Sequence, residues 1–270
     1  MIGTIMVTKE EIDNFIDKIP PTPTVLKKTI SLLSIGELAK AASIAEEDIA
    51  LKSYLKNIVN KPIYGFKNEV SDIGQIFGIL GVSQSQQTVY NYMINLLSPS
   101  KWILFKLNEK KFNELQANLS KKWSIILEHL EIKDKDIFAS ISLLPASIII
   151  AEALFNKYIE DVKLLRMSKA LDYNTILYRI SGQNLFDICE LIAKKWEMNN
   201  IIVKILQSSS GIKHSKDENI DKLSKWMHLL LFYELSQSTF VEAGLNDFID
   251  FQIEYVNDIY DEFSNLMNIS

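Results

Sequence analysis

Residues of the types that perform chemistry are few in this 270-residue sequence. There are three histidines, His129, His214 and His228, and a single cysteine, Cys189. No two histidines are four residues apart, the spacing that places two metal ligands on one helix face. Cys189 lies in an apolar run with no histidine beside it to activate the thiol. The sequence favours helix-surface and loop histidines and a buried structural thiol; a metal site assembled from distant residues is the alternative.

The elements that position these residues are helices, and their start and stop signals are clearest near the N-terminus. Thr22 precedes Pro23, the order of an N-cap followed by proline at the first helical position. Asp48 can cap the next helix. That helix must end at about Asn60, because Lys61 precedes a proline and is pushed out of the α conformation.

The same kind of signal continues along the chain. Ser71 can cap a helix that ends at Gly81, where the missing side chain permits a positive φ. Gly78-Ile79-Leu80-Gly81 is therefore a helix terminus and not a glycine-rich phosphate loop. Apolar spacing without period-two alternation predicts an all-α protein. The first predicted helix begins at a capping box formed by Thr8 to Glu11. The other predicted helices cover about residues 23–33, 37–45, 48–60, 72–80, 84–97, 109–130, 137–158, 173–180, 184–196, 200–207 and 220–236.

Thirteen positions carry a family resemblance by their order and spacing: Ile19, Pro20, Pro21, Pro23, Asp48, Leu51, Leu55, Asn60, Tyr64, Gly65, Ile73, Leu80 and Gly81. They resemble the HDOD domain, a helical module of bacterial signalling proteins related to the HD phosphohydrolases. The resemblance covers residues 12–97 and continues more weakly to about residue 210. The chain departs from the pattern at Ile49, where the family has proline, and at Lys61, where it has serine. The resemblance implies an HD-domain or phosphodiesterase-like helical bundle preceded by an N-terminal helical bundle.

The metal-binding positions of the HD phosphohydrolases are not kept in this chain. Those enzymes use histidines and aspartates, including an adjacent His-Asp pair, as ligands for divalent metals. The resemblance places Leu144 and Pro145 at that pair, and neither side chain can bind a metal. The histidines that follow the family's tryptophan-containing helix correspond to Ser208 and Ser209. We therefore expect no catalytic residue, no metal and no cofactor on the HD pattern.

Asp48, Asn60, Tyr64 and Gly65 are candidate interaction positions. Loops at ordered helix ends often carry binding. The structural interpretation is that Asn60 bonds helix-end carbonyls, Tyr64 packs its ring and Gly65 permits a positive φ. The sequence favours the structural interpretation, because a family signature can be a fold signature.

Composition agrees with a folded soluble protein. Hydrophobic residues make up 47% and charged residues 23% of the chain, close to globular averages. The chain has one cysteine and no signal-peptide pattern, and its apolar run at residues 141–155 is too short to span a bilayer. These features predict a cytoplasmic protein without membrane insertion. We expect an N-terminal helical subdomain at residues 8–98, a degenerate HD-like subdomain at 99–210 and a C-terminal extension at 211–270.

The C-terminal extension is acidic. Residues 226–270 contain eight acids and no lysine or arginine, so they carry a charge of −8 while residues 1–225 carry +3. A single helix would place five acids on one narrow face: Asp247, Asp250, Glu254, Asp258 and Asp261. This predicts a docked terminal helix with a solvated acidic face, or an acidic stripe that meets a basic partner or the basic body of the chain. Nucleic acid is an unsuitable partner because no basic stripe can neutralise phosphates.

Three functions follow from these observations. The first is a non-catalytic regulatory module that acts through protein partners in a bacterial signalling pathway, as the resemblance implies. The second is a sensor that holds a nucleotide, a cyclic dinucleotide or another small molecule in the vacated metal pocket. The third, a metal-dependent phosphohydrolase with a rebuilt site, is remote because no set of acid, base and nucleophile can be named.

Overall fold

The computed structural model describes residues 7–62, 65–246 and 248–269. It is 69% helical and has no strand among these residues, so the predicted all-α class is confirmed. A 3-10 turn covers Ile141–Leu143. The helices are α1 (Lys9–Lys18), α2 (Thr24–Ser34), α3 (Leu38–Ala45), α4 (Ile49–Val59), α5 (Ile73–Asn95), α6 (Glu109–His129), α7 (Lys135–Ser140), α8 (Ala146–Phe155), α9 (Ile159–Lys169), α10 (Tyr173–Ser181), α11 (Leu185–Lys195), α12 (Asn200–Ser208), α13 (Glu218–Leu235), α14 (Ser238–Glu242), α15 (Ile253–Val256) and α16 (Tyr260–Met267).

Side-chain caps fix most helix starts. Thr8 and Glu11 form the predicted capping box at α1. The carboxylate of Asp48 accepts hydrogen bonds from the second and third N–H groups of α4. Two predicted caps are wrong by one residue. Asp72 rather than Ser71 caps α5, and α2 begins after Pro23 without a side-chain cap from Thr22.

Helix α5 is the central element of the N-terminal half. It packs against α2, α3, α4 and α7. The sequence predicts two helices here, 72–80 and 84–97, and the structure agrees, because α5 consists of two helical halves that meet at a kink. The kink lies at Gly81, which has φ 71° and ψ 175°. This region of backbone space is essentially restricted to glycine.

Replacing Gly81 with alanine should lower the free energy of unfolding by about 2 kcal/mol, because a side chain strains this backbone conformation. Apart from its neighbours along the chain and the helix's own backbone, no heavy atom of the described residues lies within 4 Å of the position a Cβ would take, so backbone strain and not a clash causes the loss. Gly78→Ala is the matched control. Gly78 is exposed on the same helix and has ordinary φ, so alanine there should stabilise by about 0.5–1 kcal/mol. Urea unfolding measures both, and equal effects at the two positions would contradict the assignment.

A single cluster of buried apolar side chains extends from Val7 to Phe263. The most apolar helix, α8, is buried on almost every side. In the C-terminal half, α13 packs against α6 and α12 and carries α15 and α16 on its surface. The subdomain boundaries at residues 98 and 210 stay a prediction.

The apolar segment Lys135–Phe155 is long enough to cross a membrane by length and composition, and 83% of an 18-residue stretch of it is buried inside the fold. Burial fits the core of a soluble protein. The prediction of one helix over residues 137–158 is wrong: the segment divides into α7, the 3-10 turn and α8. Pro145 has no N–H to donate to the carbonyl of Ile141, which accepts from Leu144 at 3.2 Å instead. Helix α9 (Ile159–Lys169) was not predicted, and it follows directly after this segment.

Candidate functional site

The loop between α4 and α5 is held by the side chain of Asn60. Its Nδ2 donates to the carbonyl oxygens of Lys56 and Val70 at 2.9 Å each, and its Oδ1 accepts from the N–H of Val70 at 2.8 Å. One amide therefore closes the end of α4 and fixes the far end of the loop. The predicted role of Asn60 at helix-end carbonyls is confirmed.

Asn60→Ala should lower the free energy of unfolding by about 2 kcal/mol, because three hydrogen bonds of roughly 0.5–1.5 kcal/mol each are lost. Asn57 is the control, since it is exposed on the same helix. Asn57→Ala should change stability by at most about 0.5 kcal/mol. Urea unfolding of the two variants measures the difference. Equal values would mean that the hydrogen bonds of Asn60 contribute nothing net.

Asp48 and Pro20 also belong to the family pattern, and each lies against a residue of another helix. Burial and the nearby carboxylate of Asp48 raise the pKa of Tyr92 on α5 to about 12. The indole N–H of Trp196, at the end of α11, donates to the carbonyl of Pro20 at 3.1 Å. Gly65 has φ 66°, as its structural interpretation requires. Tyr64 lies outside the described residues, so its role stays a prediction.

The residues that the resemblance places at the HD metal positions are part of the core. Leu144 and Pro145 are buried, and the hydroxyl of Ser147 donates to the carbonyl of Leu144 at 2.6 Å. Ser208 and Ser209 are buried as well, and Ser209 donates to the carbonyl of an earlier turn of its own helix at 2.7 Å. Apolar side chains and local hydrogen bonds fill this region.

His228 is buried in α13, so its assignment to a helix surface or loop is wrong. Its Nδ1 lies 2.9 Å from the carbonyl oxygen of Ser209, and its Nε2 lies 3.3 Å from the backbone N–H of Gln252. A carbonyl only accepts and an N–H only donates, so the partners assign the neutral Nδ1–H tautomer. The ring therefore joins α12 to the segment that precedes α15.

The pH dependence of stability should carry a contribution from His228. Burial lowers the pKa of its imidazole below the ordinary 6.5. The unfolded chain then binds the proton more readily than the folded one, so stability is complete above pH 6.5 and falls as the pH decreases below it.

We expect wild-type protein to lose more stability between pH 7.5 and pH 5.5 than His228→Leu, because only the wild-type chain has an imidazole that binds a proton more readily in the unfolded state than in the folded state. Urea unfolding at both pH values provides the comparison. We expect the leucine variant to be less stable at every pH. The test therefore compares how much the free energy of unfolding changes with pH, and not its absolute value. Identical slopes would show that the imidazole titrates normally.

The other candidate chemical groups are dispersed. His129 pairs with Glu262 at 2.6 Å, and His214 lies 3.8 Å from Asp221. Cys189 is buried as predicted, and burial raises the pKa of its thiol far above the ordinary value. In the part of the chain that the structure describes, no group of three or more His, Cys, Asp or Glu side chains could hold a metal ion.

The acidic residues of the C-terminal extension do not share one helix, so the predicted continuous helix is wrong. Asp250 precedes α15, Glu254 lies in it, Asp258 follows it and Asp261 lies in α16. Asp247 is outside the described residues. The helix is interrupted at two places: the N–H of Gln252 donates to His228 instead of to a carbonyl one turn earlier, and a turn at residues 257–259 separates α15 from α16.

Some acidic side chains of the C-terminal extension form ion pairs with the rest of the chain. Asp258 pairs with Lys225 of α13 at 2.8 Å, and the Glu262 pair with His129 joins α16 to α6. Asp250, Glu254 and Asp261 are exposed.

Two buried carboxylates were not foreseen as site residues. Glu152 on α8 accepts hydrogen bonds from the N–H groups of residues 103–105, and Glu234 on α13 pairs with Lys122 on α6. The presence of Glu152 inside an apolar run was a usable signal. Nothing in the spacing of Lys122 and Glu234, which are 112 residues apart, indicates their contact.

A ligand-sized groove also went unpredicted. It has a volume of about 690 Å³ and lies between α4, both halves of α5, and α6. The described residues that line this α4–α5–α6 groove are Tyr54, Ile58, Lys61, Ile79, Leu80, Gln84, Thr88, Asn91, Asn113, Gln116, Ala117, Asn118, Ser120, Lys121, Ser124 and Ile125. The groove is separate from the Leu144–Ser147 segment, where the sensor hypothesis placed its pocket.

Comparisons with solved structures agree with this architecture. The chain is similar to a crystal structure of an HDOD domain protein of unknown function from Geobacter sulfurreducens, with a TM-score of 0.64, 12% identity, and coverage of 96% of this chain and 94% of that one. It is also similar to a presumed phosphohydrolase from Shewanella amazonensis SB2B, with a TM-score of 0.63, 12% identity, and coverage of 95% and 97%. At this identity the likeness shows the fold alone. This chain thus shares the helical fold of these two proteins.

The family assignment comes from the sequence match. The HDOD domain matches residues 19–211, more than half of the chain. The chain belongs to the HDOD domain family. No curated protein matches the sequence.

Proposed function

We propose that this HDOD protein is a non-catalytic regulatory module that acts in the cytoplasm through contacts with protein partners of a bacterial signalling pathway. The observation that carries the proposal is the burial of Leu144 and Pro145, which the resemblance places at the positions of the HD metal ligands. A metal at that point needs imidazole and carboxylate donors. An alkyl side chain and a proline ring supply none.

The first experiment tests for hydrolysis. Protein treated with EDTA and reloaded with Mn²⁺, Mg²⁺, Fe²⁺ or Zn²⁺ is incubated with bis(p-nitrophenyl) phosphate and with cyclic mononucleotides and dinucleotides. We expect no turnover above the metal-only blank. Metal-dependent turnover that disappears at the unfolding temperature of this chain would overturn the proposal in favour of the phosphohydrolase.

Protein contact is supported by exposed apolar side chains on several helices. Ile49 is 84% exposed at the start of α4 and Met167 is 87% exposed on α9. Exposed acids of the C-terminal extension supply a second kind of contact. These groups suit association with another protein more than catalysis.

A charge-reversal experiment separates the acidic contact from internal structure. Asp250 and Glu254 are changed to lysine together, and Asp258 is left in place because it pairs with Lys225. Glu47→Lys with Glu114→Lys is the charge-matched control on other exposed surfaces. If the acids contact a basic partner, only the variant with Asp250 and Glu254 changed to lysine should capture less partner, and only in this variant should capture depend less on salt. Equal behaviour of the two pairs would contradict an acidic contact.

Ligand sensing is the second candidate function. The observation that favours it is the α4–α5–α6 groove, whose volume of about 690 Å³ falls within the range of roughly 300–1,000 Å³ typical of ligand pockets. A ligand there would regulate the module without being transformed.

A further inference from the structure

All three histidines of the sequence contact the last part of the chain, residues 248–269, which we call the C-terminal strap. The ring centroids of His228 and His214 lie 5.9 Å and 4.9 Å from that of Tyr255. His129 on α6 pairs with Glu262 on α16 at 2.6 Å. Histidine is the side chain whose charge ordinarily changes between pH 5 and pH 8. Protonation in that range therefore acts where the strap is attached.

The contact between the strap and His228 requires a neutral ring. The Nε2 of His228 accepts a hydrogen bond from the backbone N–H of Gln252 at 3.3 Å, and the ring stacks on that of Phe251 with centroids 5.9 Å apart. A protonated imidazole carries an N–H group on both nitrogens. Two donors would then face each other, and this hydrogen bond would be lost. Because the ring is buried, water reaches its charge only when the strap moves away.

The other groups around the His228 ring do not cancel this effect. Towards α12 the ring faces the carbonyl of Ser209, which carries no charge. In the strap, the carboxylate of Asp250 favours the protonated ring, but burial outweighs it and keeps the pKa of His228 below 6.5. Burial raises the pKa of the Tyr255 hydroxyl, so Tyr255 stays neutral. On α13 itself, the ammonium of Lys225 lies over the Tyr255 ring, 5.7 Å from its centroid.

His129 responds to pH in the opposite sense. Its Nε2 lies 2.6 Å from Oε1 of Glu262, and the two form an ion pair only while the imidazole is protonated. Acid therefore strengthens the contact between α6 and α16. His214 pairs with Asp221 at 3.8 Å, and Asp221 belongs to α13, so this pair does not hold the strap. The part of the strap around α15 and the part around α16 thus differ in their response to acid.

We propose that the C-terminal strap is a pH-responsive device: protonation of His228 releases residues 250–256, while α16 stays attached through Glu262. Release separates Phe251 from Phe232 of α13, whose ring centroids lie 4.3 Å apart, and uncovers that face of α13. Acidification thus changes the surface that the chain presents without unfolding it. The inference goes beyond the proposed regulatory function and does not depend on it.

Hydrogen exchange of the full chain, followed by NMR at pH 7.5 and pH 5.5, tests the proposal. The reporter is the amide of Gln252, and its protection is expressed relative to the intrinsic exchange rate at each pH. We expect protection to fall about threefold to tenfold at pH 5.5, because an opened strap binds one proton with an ordinary histidine pKa of about 6.5. Amides of residues 260–267 should keep their protection. Unchanged protection of Gln252, or an equal loss in residues 260–267, would overturn the proposal.

Core amides separate local release from global unfolding. Residues 148–151 lie in α8, which is buried on almost every side, so their amides exchange when the whole chain unfolds. The Gln252 amide should be at least about tenfold less protected than these amides at both pH values. Equal protection would mean that the strap opens only together with the rest of the fold, and it would contradict a local release.

Variants test the role of the His228 ring. His228→Gln keeps an acceptor near the position of Nε2 but does not titrate, so the protection of Gln252 should no longer depend on pH. His129→Gln with His214→Gln is the matched control at two exposed positions, and it should retain the wild-type change. If His228→Gln fails to fold, this double variant replaces it, because it leaves His228 as the only histidine. A response that persists in His228→Gln or disappears in the double variant would overturn the assignment.

Discussion

Replacing Glu152 with alanine is expected to lower the free energy of unfolding by about 4 kcal/mol. Its Oε1 accepts from the N–H of Ile103 at 2.6 Å and of Leu104 at 3.1 Å, and its Oε2 accepts from Leu104 at 3.0 Å and Phe105 at 3.1 Å. The carboxylate is almost fully buried. Three N–H groups would lose their partner, at roughly 1–3 kcal/mol for each donor left buried without one.

Removal of the Glu152 carboxylate should loosen one loop before it affects the rest of the fold. Residues 103–105 belong to the segment between α5 and α6, and the carboxylate is their attachment to α8. Hydrogen exchange of these three amides should accelerate in Glu152→Ala, in addition to a lower urea midpoint. Such anchoring by one carboxylate resembles the backbone nests that proteins use for anions.

Glu152→Gln is the informative control, because it keeps the shape and retains one acceptor oxygen. We expect about half the destabilisation of the alanine variant, since the new NH₂ group faces N–H donors and cannot bond to them. Glu128→Ala, at an exposed position on α6, should change stability by at most about 0.5 kcal/mol. Unchanged protection of the amides of residues 103–105 in Glu152→Ala would contradict the anchoring role.

The second large effect is expected for Lys122→Met, at about 3 kcal/mol. Lys122 pairs with Oε1 of Glu234, a side chain that is 0% exposed, and the other oxygen of Glu234 has no partner among the described residues. Methionine preserves most of the apolar stem and removes the charge. It leaves a buried carboxylate without a counter-ion, which typically costs 3–5 kcal/mol; the 25% exposure of the Lys122 side chain places the value at the lower end.

A double variant distinguishes loss of the pair from loss of packing. Lys122→Met with Glu234→Leu removes both charges, and it should recover most of the stability lost by the single lysine variant. The recovery is measured by urea unfolding as a double-mutant cycle. Lys121→Met, next along α6 and exposed, should be close to neutral. Equal stability of the single and double variants would show that Glu234 is not left as an uncompensated charge.

This pair also bears on how the C-terminal extension is attached. Lys122 lies on α6 and Glu234 on α13, and the ammonium lies 5.1 Å from the ring centroid of Tyr233. The His129–Glu262 and Lys225–Asp258 pairs add contacts to the last segments. Exposed pairs of this kind contribute at most about 1 kcal/mol each. Of these ion pairs, the buried Lys122–Glu234 pair therefore contributes most to the attachment of the C-terminal extension.

The sequence by itself determined the features that depend on neighbours within about four residues. The capping box at Thr8, the cap at Asp48, the end of α4 at Asn60 and the positive φ of Gly81 were all readable, since caps and breakers act locally. The all-α class follows from the same local periodicity. The family also followed from sequence, because its marks are these local signals in a fixed order.

Only the tertiary structure decided the features that depend on distant residues. The C-terminal helix was predicted as continuous because its apolar spacing is helical, but His228 holds the N–H of Gln252 from 24 residues away and the segment is interrupted. The hydrogen bonds of Glu152 join α8 to the segment between α5 and α6, and the pairing of Lys122 with Glu234 joins α6 to α13. The groove is likewise formed where α4, α5 and α6 meet. Local propensity cannot specify such contacts, because their free energy depends on burial and on a partner that packing brings together.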